Sequence, residues 1–145
     1  MLLLHGEEAF LLAEESGRTL RAWREGLVSD FGFEALDAST VTMDRLRDAI
    51  LQAPFLDPWR VVAVRGIATR KADGLAPALA EVPESTRVLL TVNGRLPAAG
   101  KLVKAVAGLG GGQVRELAPL KGRGLTEWVA QRTRDYSLPA AAGSE

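Results

Sequence analysis

Two uninterrupted apolar runs, residues 60–65 (RVVAVR) and 86–92 (TRVLLTV), constrain the fold of this chain most strongly. A strand with helices packed on both of its faces has no polar side, so its sequence is continuously apolar instead of alternating. Between and around the two runs, apolar residues recur three or four positions apart, which indicates helices. The sequence therefore predicts an α/β protein that is built on a parallel sheet.

Strands and helices are predicted to alternate five times along the chain. The predicted strands are residues 2–4, 32–37, 60–65, 86–92 and 113–117. The predicted helices are residues 7–24, 43–53, 72–80, a segment opened by Pro97, and residues 125–136. This order indicates a three-layer α/β fold with a mostly parallel five-stranded sheet and helices on both faces. We expect the strand at residues 60–65 to be central.

The spacing within the helices predicts which side chains face the core. The first helix is expected to turn Phe10, Ala13, Gly17, Leu20 and Trp23 inward. In the segment 72–80 the inward positions are the two leucines four residues apart, Leu75 and Leu79. Because a proline, Pro77, lies between those leucines, this third helix is expected either to be kinked or to start near Gly74 with Pro77 in its first turn.

The segment just before residue 60 is unusual for a turn. It reads Pro54-Phe55-Leu56-Asp57-Pro58-Trp59, so that three large apolar side chains lie beside two prolines where polar residues are typical. Either these side chains fold back into the core or they are offered to a partner. The function of the chain depends on which alternative holds.

Composition limits the class of protein. The chain has 145 residues, 47% of them hydrophobic, a formal net charge of zero and no cysteine. It contains no apolar run of the ~20 residues needed to cross a bilayer, and its first residues do not have the basic and apolar segments expected of a signal peptide. We therefore expect one domain in the cytoplasm, with no disulfides and no membrane partner. Basic residues are in excess only from residue 60 onward, 13 against 7 acidic ones.

The turn after the first strand lacks the features of a phosphate-binding loop. In a P-loop the first strand leads into G-x-x-x-x-G-K-[ST], whose amides and lysine hold phosphate. Residues 6–13 read GEEAFLLA, with leucines in place of the second glycine and the lysine, and with Glu7 and Glu8 where phosphate would lie. Nucleotide binding is therefore not expected, and no cofactor or metal is predicted.

No catalytic set is evident elsewhere. His5 is the only histidine, and at a strand end a structural role is the commoner one. The nucleophile elbow G-x-S-x-G is absent. The glycine run at 108–112 follows a helix, which is the wrong context for a phosphate cradle. Five basic residues could contact a DNA backbone, which leaves a DNA-binding role as an alternative: Arg95, Lys101, Lys104, Lys121 and Arg123.

Three stretches of the sequence resemble the delta subunit of bacterial DNA polymerase III, a component of the clamp loader. They are LLHGEEAFLL at the start, APFLDPWRVVAVR in the middle, and the late LAPLK followed by LTEWV. The resemblance implies that residues 1–138 form the N-terminal AAA+-like domain, a degenerate P-loop fold, and that residues 139–145 begin a lid domain. It also implies a cytoplasmic, non-enzymatic subunit of a DNA-directed DNA polymerase that does not hydrolyse ATP.

The resemblance further implies a partner and a site. Delta subunits bind the ring-shaped sliding clamp, the beta subunit, and open it for loading on primed DNA during replication. They do so chiefly with a Leu-Phe pair before a strand, and the matching positions here are Phe55 and Leu56, in reversed order. Pro54, Asp57, Pro58 and Trp59 would form the supporting loop. Further implied partners are loader subunits of the gamma/tau and delta prime types, and primed DNA through the full complex.

Two other classes of function stay open on the sequence. One is a degenerate P-loop domain that binds DNA directly through its basic second part. The other is an uncharacterised nucleotide-dependent enzyme.

Overall fold

The computed structural model of the chain describes residues 1–118. Its strands are β1 (Leu2–Gly6), β2 (Phe33–Asp37), β3 (Arg60–Ala68), β4 (Thr86–Asn93) and β5 (Gln113–Glu116). Its helices are α1 (Ala9–Arg24), α2 (Met43–Leu51), α3 (Thr69–Ala72) and α4 (Lys101–Ala107), with 3₁₀ segments at Asp30–Gly32 and Asp73–Glu81. The last predicted helix, residues 125–136, the domain boundary at 138 and the tail 139–145 lie outside the described residues.

The five strands form one sheet in the order β2-β3-β4-β1-β5, and every neighbouring pair is parallel. A single isolated antiparallel bridge joins Gly6 to Gly94. The predicted five-stranded parallel sheet is therefore confirmed. The prediction that residues 60–65 form the central strand was wrong, because β4 occupies the middle. β3 lies second from the edge, where β2 and β4 flank it and give it the same burial as a central strand.

Helices cover both faces of the sheet. On one face α1 packs against a small cluster that is made by β1 and β4: Leu2, Leu4 and Leu89. On the other face α2, α4 and the 3₁₀ segment Asp73–Glu81 enclose the main core, whose sheet residues include Leu3, Val62, Val64, Val88 and Leu90. The predicted three-layer α/β architecture is thus confirmed within residues 1–118.

Helix α1 forms as predicted, but it is rotated about its own axis, so that other side chains than the predicted ones face the sheet. Phe10 and Ala13 are exposed, whereas Leu12 and Ser16 are buried and Leu20 packs against the small cluster. Because residues 10–13 are all apolar, two overlapping stripes fit the helical spacing, and contact with the sheet decides between them. None of the helices in residues 1–118 is long and apolar enough to cross a membrane.

The segment predicted as a helix at 72–80 is almost entirely a 3₁₀ segment, Asp73–Glu81, which follows one turn of α-helix at Thr69–Ala72. Leu75 and Leu79 are buried as predicted. Pro77 has no N–H to donate, and its ring would clash with the carbonyl four residues earlier. The tighter 3₁₀ winding avoids that arrangement and still points both leucines into the core.

The register between β2 and β3 determines where their preceding loops lie. Phe33 is paired with Val61, so residues 27–32 (loop 27–32) and residues 54–59 (loop 54–59) enter the sheet side by side at its amino edge. β3 is longer than predicted and continues through a bulge between Val64 and Ile67, where Gly66 has φ of 71°. A positive φ of that size favours glycine. The amino edge therefore carries two adjacent loops.

Candidate functional site

Loop 54–59 exposes two of its large apolar residues and buries its acidic one. The side chains of Phe55 and Leu56 are 85% and 55% exposed, whereas Asp57 is only 8% exposed. This is the reverse of the usual distribution, in which large apolar groups are buried and carboxylates are solvated. Neither Phe55 nor Leu56 folds back onto the sheet, so for these two residues the core alternative is wrong.

Asp57 is held by the neighbouring loop. Its carboxylate accepts hydrogen bonds from the backbone amides of Val28 and Ser29, the latter at 3.2 Å, and from the Ser29 hydroxyl. These bonds, the one from the hydroxyl foremost, hold the pKa of the Asp57 carboxyl below its usual value. The carboxylate is therefore ionised at neutral pH, and it ties loop 54–59 to loop 27–32.

A glycine makes room for this carboxylate. A Cβ atom on Gly32 would lie 2.6 Å from Oδ2 of Asp57 and 3.0 Å from a methyl group of Leu27. Contacts below 3.0 Å do not occur for real Cβ atoms, so a larger residue at position 32 must displace Asp57 or loop 27–32. The close approach of the two loops thus depends on glycine here.

Trp59 anchors the far end of loop 54–59. Its indole Nε1 donates a hydrogen bond of 2.8 Å to the carbonyl oxygen of Trp23, at the end of α1. Its ring lies so close to Gly26 that a Cβ there would be 2.8 Å away, and the Arg87 guanidinium lies 4.5 Å from the ring centroid. For Trp59, unlike Phe55 and Leu56, the alternative of folding back against the protein is the one observed.

Arg60, the first residue of β3, is buried beneath both loops. Its guanidinium contacts Glu34 of β2 at 2.5 Å and donates to the carbonyl oxygens of Phe31 at 3.3 Å and Ala49 at 3.4 Å. Burial acts to raise the pKa of Glu34, but hydrogen bonds from Arg60 and Arg45 together outweigh it, so the pKa is lowered. A buried ion pair therefore joins loop 27–32, β2 and α2 behind the exposed residues.

The six residues predicted for the site are consecutive and form one loop, and their role in clamp binding stays a prediction. Phe55 and Leu56 are exposed at its centre, Asp57 and Trp59 fix the loop, Pro54 is half-buried and Pro58 is exposed. Sequence analysis did not identify Val28 and Phe31, two further exposed apolar residues on loop 27–32. The available signal was the same one that drew attention to loop 54–59, namely large apolar side chains among loop residues (LVSDFG).

The opposite, carboxyl edge of the sheet contains the turn in which a P-loop would occur. Only Glu7 and Glu8, both exposed, connect β1 to α1. The end of β1 is occupied by backbone, because Gly6 exchanges hydrogen bonds with Gly94 and a Cβ on Gly6 would lie 2.2 Å from the Leu117 carbonyl oxygen. This edge therefore has a two-residue acidic turn instead of a long glycine-rich loop.

His5 lies at that edge and is held within the protein by burial and a hydrogen bond. It is buried, and its Nδ1 accepts a hydrogen bond of 2.9 Å from the Leu96 amide. Burial lowers its pKa, as does Arg95, while Glu116 acts in the opposite direction. Within residues 1–118 no group of three or more histidine and acidic side chains could hold a metal ion.

Three of the five basic residues considered for DNA contact lie within the described residues. Arg95 forms an ion pair of 3.1 Å with Glu116, and Lys101 and Lys104 are exposed on α4. Lys121 and Arg123 lie outside the described residues. One of the three described candidates is thus already paired with a carboxylate.

The fold is a parallel α/β domain with helices on both faces of the sheet and two hydrogen-bonded loops at its amino edge. The chain is similar in structure to the DNA clamp loader delta protein of Bacillus subtilis, with a TM-score of 0.69 and 19% sequence identity over 93% of this chain and 43% of that one. It is also similar to a DNA polymerase III gamma subunit-related protein of Thermotoga maritima, with a TM-score of 0.51 and 16% identity over 90% of this chain and 44% of that one.

No protein-family model matches the sequence, and no curated protein matches it. The chain spans less than half the length of both similar structures. At these identities the likeness establishes the fold, and the resemblance to clamp-loader delta subunits is confirmed at that level.

Proposed function

We propose that this domain acts as a non-ATPase clamp-loader subunit, which binds the sliding clamp of the replicative DNA polymerase and favours opening of its ring. The observation that carries the proposal is the pair Phe55 and Leu56, exposed on a loop that Asp57 and Trp59 hold in place. The structural likeness to a DNA clamp loader delta protein supports the same role.

The exposed pair has the chemistry of an interface anchor. Large apolar side chains that enter a desolvated pocket contribute about 2 kcal/mol or more each to binding when they are hot spots. Because Asp57 and Trp59 already hold the loop, little conformational entropy is lost when it binds. A fixed loop with two exposed apolar tips therefore suits insertion into an apolar pocket of the clamp.

Ring opening follows from differential binding. Helix α2 ends at Leu51, three residues before Pro54, so it approaches any protein that takes up Phe55 and Leu56. If α2 lies beside the subunit interface of the clamp, the domain binds the open ring more tightly than the closed one. The equilibrium then shifts toward the open ring by that difference in affinity and by no more.

Under this proposal the domain works without nucleotide. The acidic turn Glu7–Glu8 at the end of β1 would repel phosphate, and backbone groups fill the space beside Gly6. ATP would act on the partner subunits of the gamma/tau type, which expose or hide loop 54–59 within the full loader. Calorimetry with ATP checks this: we expect no binding, and a micromolar dissociation constant would contradict it.

The direct test is binding to the sliding clamp from the same source. We expect the wild type to bind and Phe55→Ala/Leu56→Ala to bind at least about 30-fold more weakly, the equivalent of about 2 kcal/mol. Phe10→Ala is the matched control, since Phe10 is also exposed but lies on α1. Equal binding by wild type and double variant would contradict the site, and absence of binding by the wild type would contradict the function.

A further inference from the structure

Exposed apolar side chains are concentrated at the amino edge of the sheet. Among residues 1–118 five large apolar side chains are exposed, and four of them lie on the two loops at this edge. They are Val28 (79% exposed), Phe31 (70%), Phe55 and Leu56, whereas the fifth, Phe10, lies on α1. Single exposed apolar residues are common, but a group of them on adjacent loops marks an interaction site.

The two loops that carry these residues are joined by hydrogen bonds. The Asp57 carboxylate accepts from the amides of Val28 and Ser29, so the residue next to Leu56 contacts Val28 itself. Arg60 donates to the carbonyl oxygen of Phe31. Both exposed residues of loop 27–32 are therefore fixed through their backbones to the segment that carries Phe55 and Leu56.

The size of a stable interface also argues for a surface larger than one pair. Specific protein complexes bury about 800 Å² on each partner, whereas one aromatic side chain contributes about 150–250 Å². Phe55 and Leu56 therefore supply only part of such an area. The nearest further apolar residues that are exposed and held in position are Val28 and Phe31.

We infer that Val28 and Phe31 form one docking surface with Phe55 and Leu56, that the sliding clamp occupies this surface, and that Asp57 is the positioning residue that aligns its two halves. The inference rests on the proposed function, since the partner is the same clamp. Phe55 and Leu56 enter the pocket, while Val28 and Phe31 contact the apolar rim beside it. Asp57 contributes by holding the loops together, not by contact with the clamp.

The first experiment measures the dissociation constant of the clamp for the wild type, for Val28→Ser/Phe31→Ser and for Phe55→Ala/Leu56→Ala, with Phe10→Ser as the control. We expect a loss of about tenfold for Val28→Ser/Phe31→Ser, which is smaller than the loss of about 30-fold or more expected for Phe55→Ala/Leu56→Ala. Phe10→Ser should bind as the wild type does. Circular dichroism and thermal unfolding of each variant establish that the fold is retained.

The outcomes separate the inference from the proposed function. If Phe55→Ala/Leu56→Ala loses binding and Val28→Ser/Phe31→Ser binds like the wild type, the inference is overturned and the proposed function stands. If the wild type does not bind the clamp, both are overturned. If Phe10→Ser loses as much affinity as Val28→Ser/Phe31→Ser, the effect is not specific to this surface and the inference is overturned.

A second experiment tests the positioning role of Asp57 by a double-mutant cycle. Val28→Ser/Phe31→Ser is measured again in an Asp57→Asn background and, as a milder change, in a Ser29→Ala background. If Asp57 aligns the loops, the loss that is caused by Val28→Ser/Phe31→Ser should shrink in both backgrounds, because the two sites are coupled. The same fold-loss in all backgrounds would overturn the positioning role, since general destabilisation produces no coupling.

Discussion

The carboxylate of Asp57 accepts a hydrogen bond of 3.2 Å from the backbone amide of Ser29, a residue 28 positions earlier in the chain. A second bond comes from the Ser29 hydroxyl. This relationship converts two loops into one unit at the amino edge of the sheet. It also explains why an acidic residue is buried while its neighbours Phe55 and Leu56 are exposed.

Removal of the exposed pair should leave stability unchanged. We expect Phe55→Ala/Leu56→Ala to keep the free energy of unfolding within about 0.5 kcal/mol of the wild type, because neither side chain packs into the core. Ile50→Ala, a change in the fully buried face of α2, should cost about 2–5 kcal/mol. Urea denaturation measures both. A loss above about 2 kcal/mol in the double variant would place the pair in the core instead.

Low pH should weaken the hydrogen bonds by which the Asp57 carboxylate joins loop 54–59 to loop 27–32. Since the pKa of Asp57 is lowered in the folded protein, its contribution to stability is complete above the ordinary value of 3.8 and is lost as the pH falls through the lower, folded value. We therefore expect the melting temperature of the wild type to exceed that of Asp57→Asn at neutral pH, and the difference to shrink as the pH is lowered below 3.8. A difference that does not change with pH would show that the charge of Asp57 is not involved.

Two glycine substitutions should have opposite effects. Gly32→Ala places a Cβ 2.6 Å from the Asp57 carboxylate and should cost about 1–3 kcal/mol of stability through overpacking. Gly17→Ala lies in helix α1 with no atom within 4 Å of the new Cβ, and should gain about 0.5–1 kcal/mol. Thermal unfolding of both variants measures these effects. Equal stability of the two would contradict the close approach of Gly32 and Asp57.

Substitution of Arg60 should lower the stability of the fold far more than substitution of an exposed arginine. Arg60→Ala leaves Glu34 with Arg45 alone and removes the donor to Phe31, and breaking a buried pair costs about 3–5 kcal/mol. Because Arg45 stays in contact with Glu34, we expect a value near 3 kcal/mol, the low end of that range. Arg47→Ala removes an exposed pair with Asp44 and should cost at most about 1 kcal/mol. Similar costs for both variants, measured in urea, would contradict the burial of Arg60.

His5 should make stability depend on pH near neutrality. Burial lowers its pKa below 6.5, so folding favours the neutral ring, and this contribution is lost as the pH falls from above 6.5 through the folded value. His5→Gln keeps an acceptor for the Leu96 amide but does not titrate. We expect the free energy of unfolding to fall between about pH 7 and 5 in the wild type, and to fall less in His5→Gln. Parallel profiles would contradict the prediction.

Local patterns were sufficient for much of the fold. The apolar runs at β3 and β4 predicted buried parallel strands, and the spacing of Leu75 and Leu79 predicted their burial. These predictions succeeded because each depends on residues that are close in sequence. The exposed pair was also identified from a local anomaly, two large apolar residues between two prolines.

The features that could not be predicted depend on contacts distant in sequence. Residues 60–65 and 86–92 are equally apolar, and only the pairing of β1 with β4 and β5 shows that β4 is central. Which face of α1 is buried depends on the contact of Leu12 with the sheet. Likewise, nothing near Asp57 in the sequence reveals that Ser29 is its partner.

β3 also acts as a spacer of fixed length. Its nine residues run from the two loops at the amino edge to the carboxyl edge, a distance of roughly 25 Å at about 3.3 Å per residue. Under the proposed function, the clamp at Phe55 and Leu56 and a loader subunit at the carboxyl edge would contact opposite ends of this one strand.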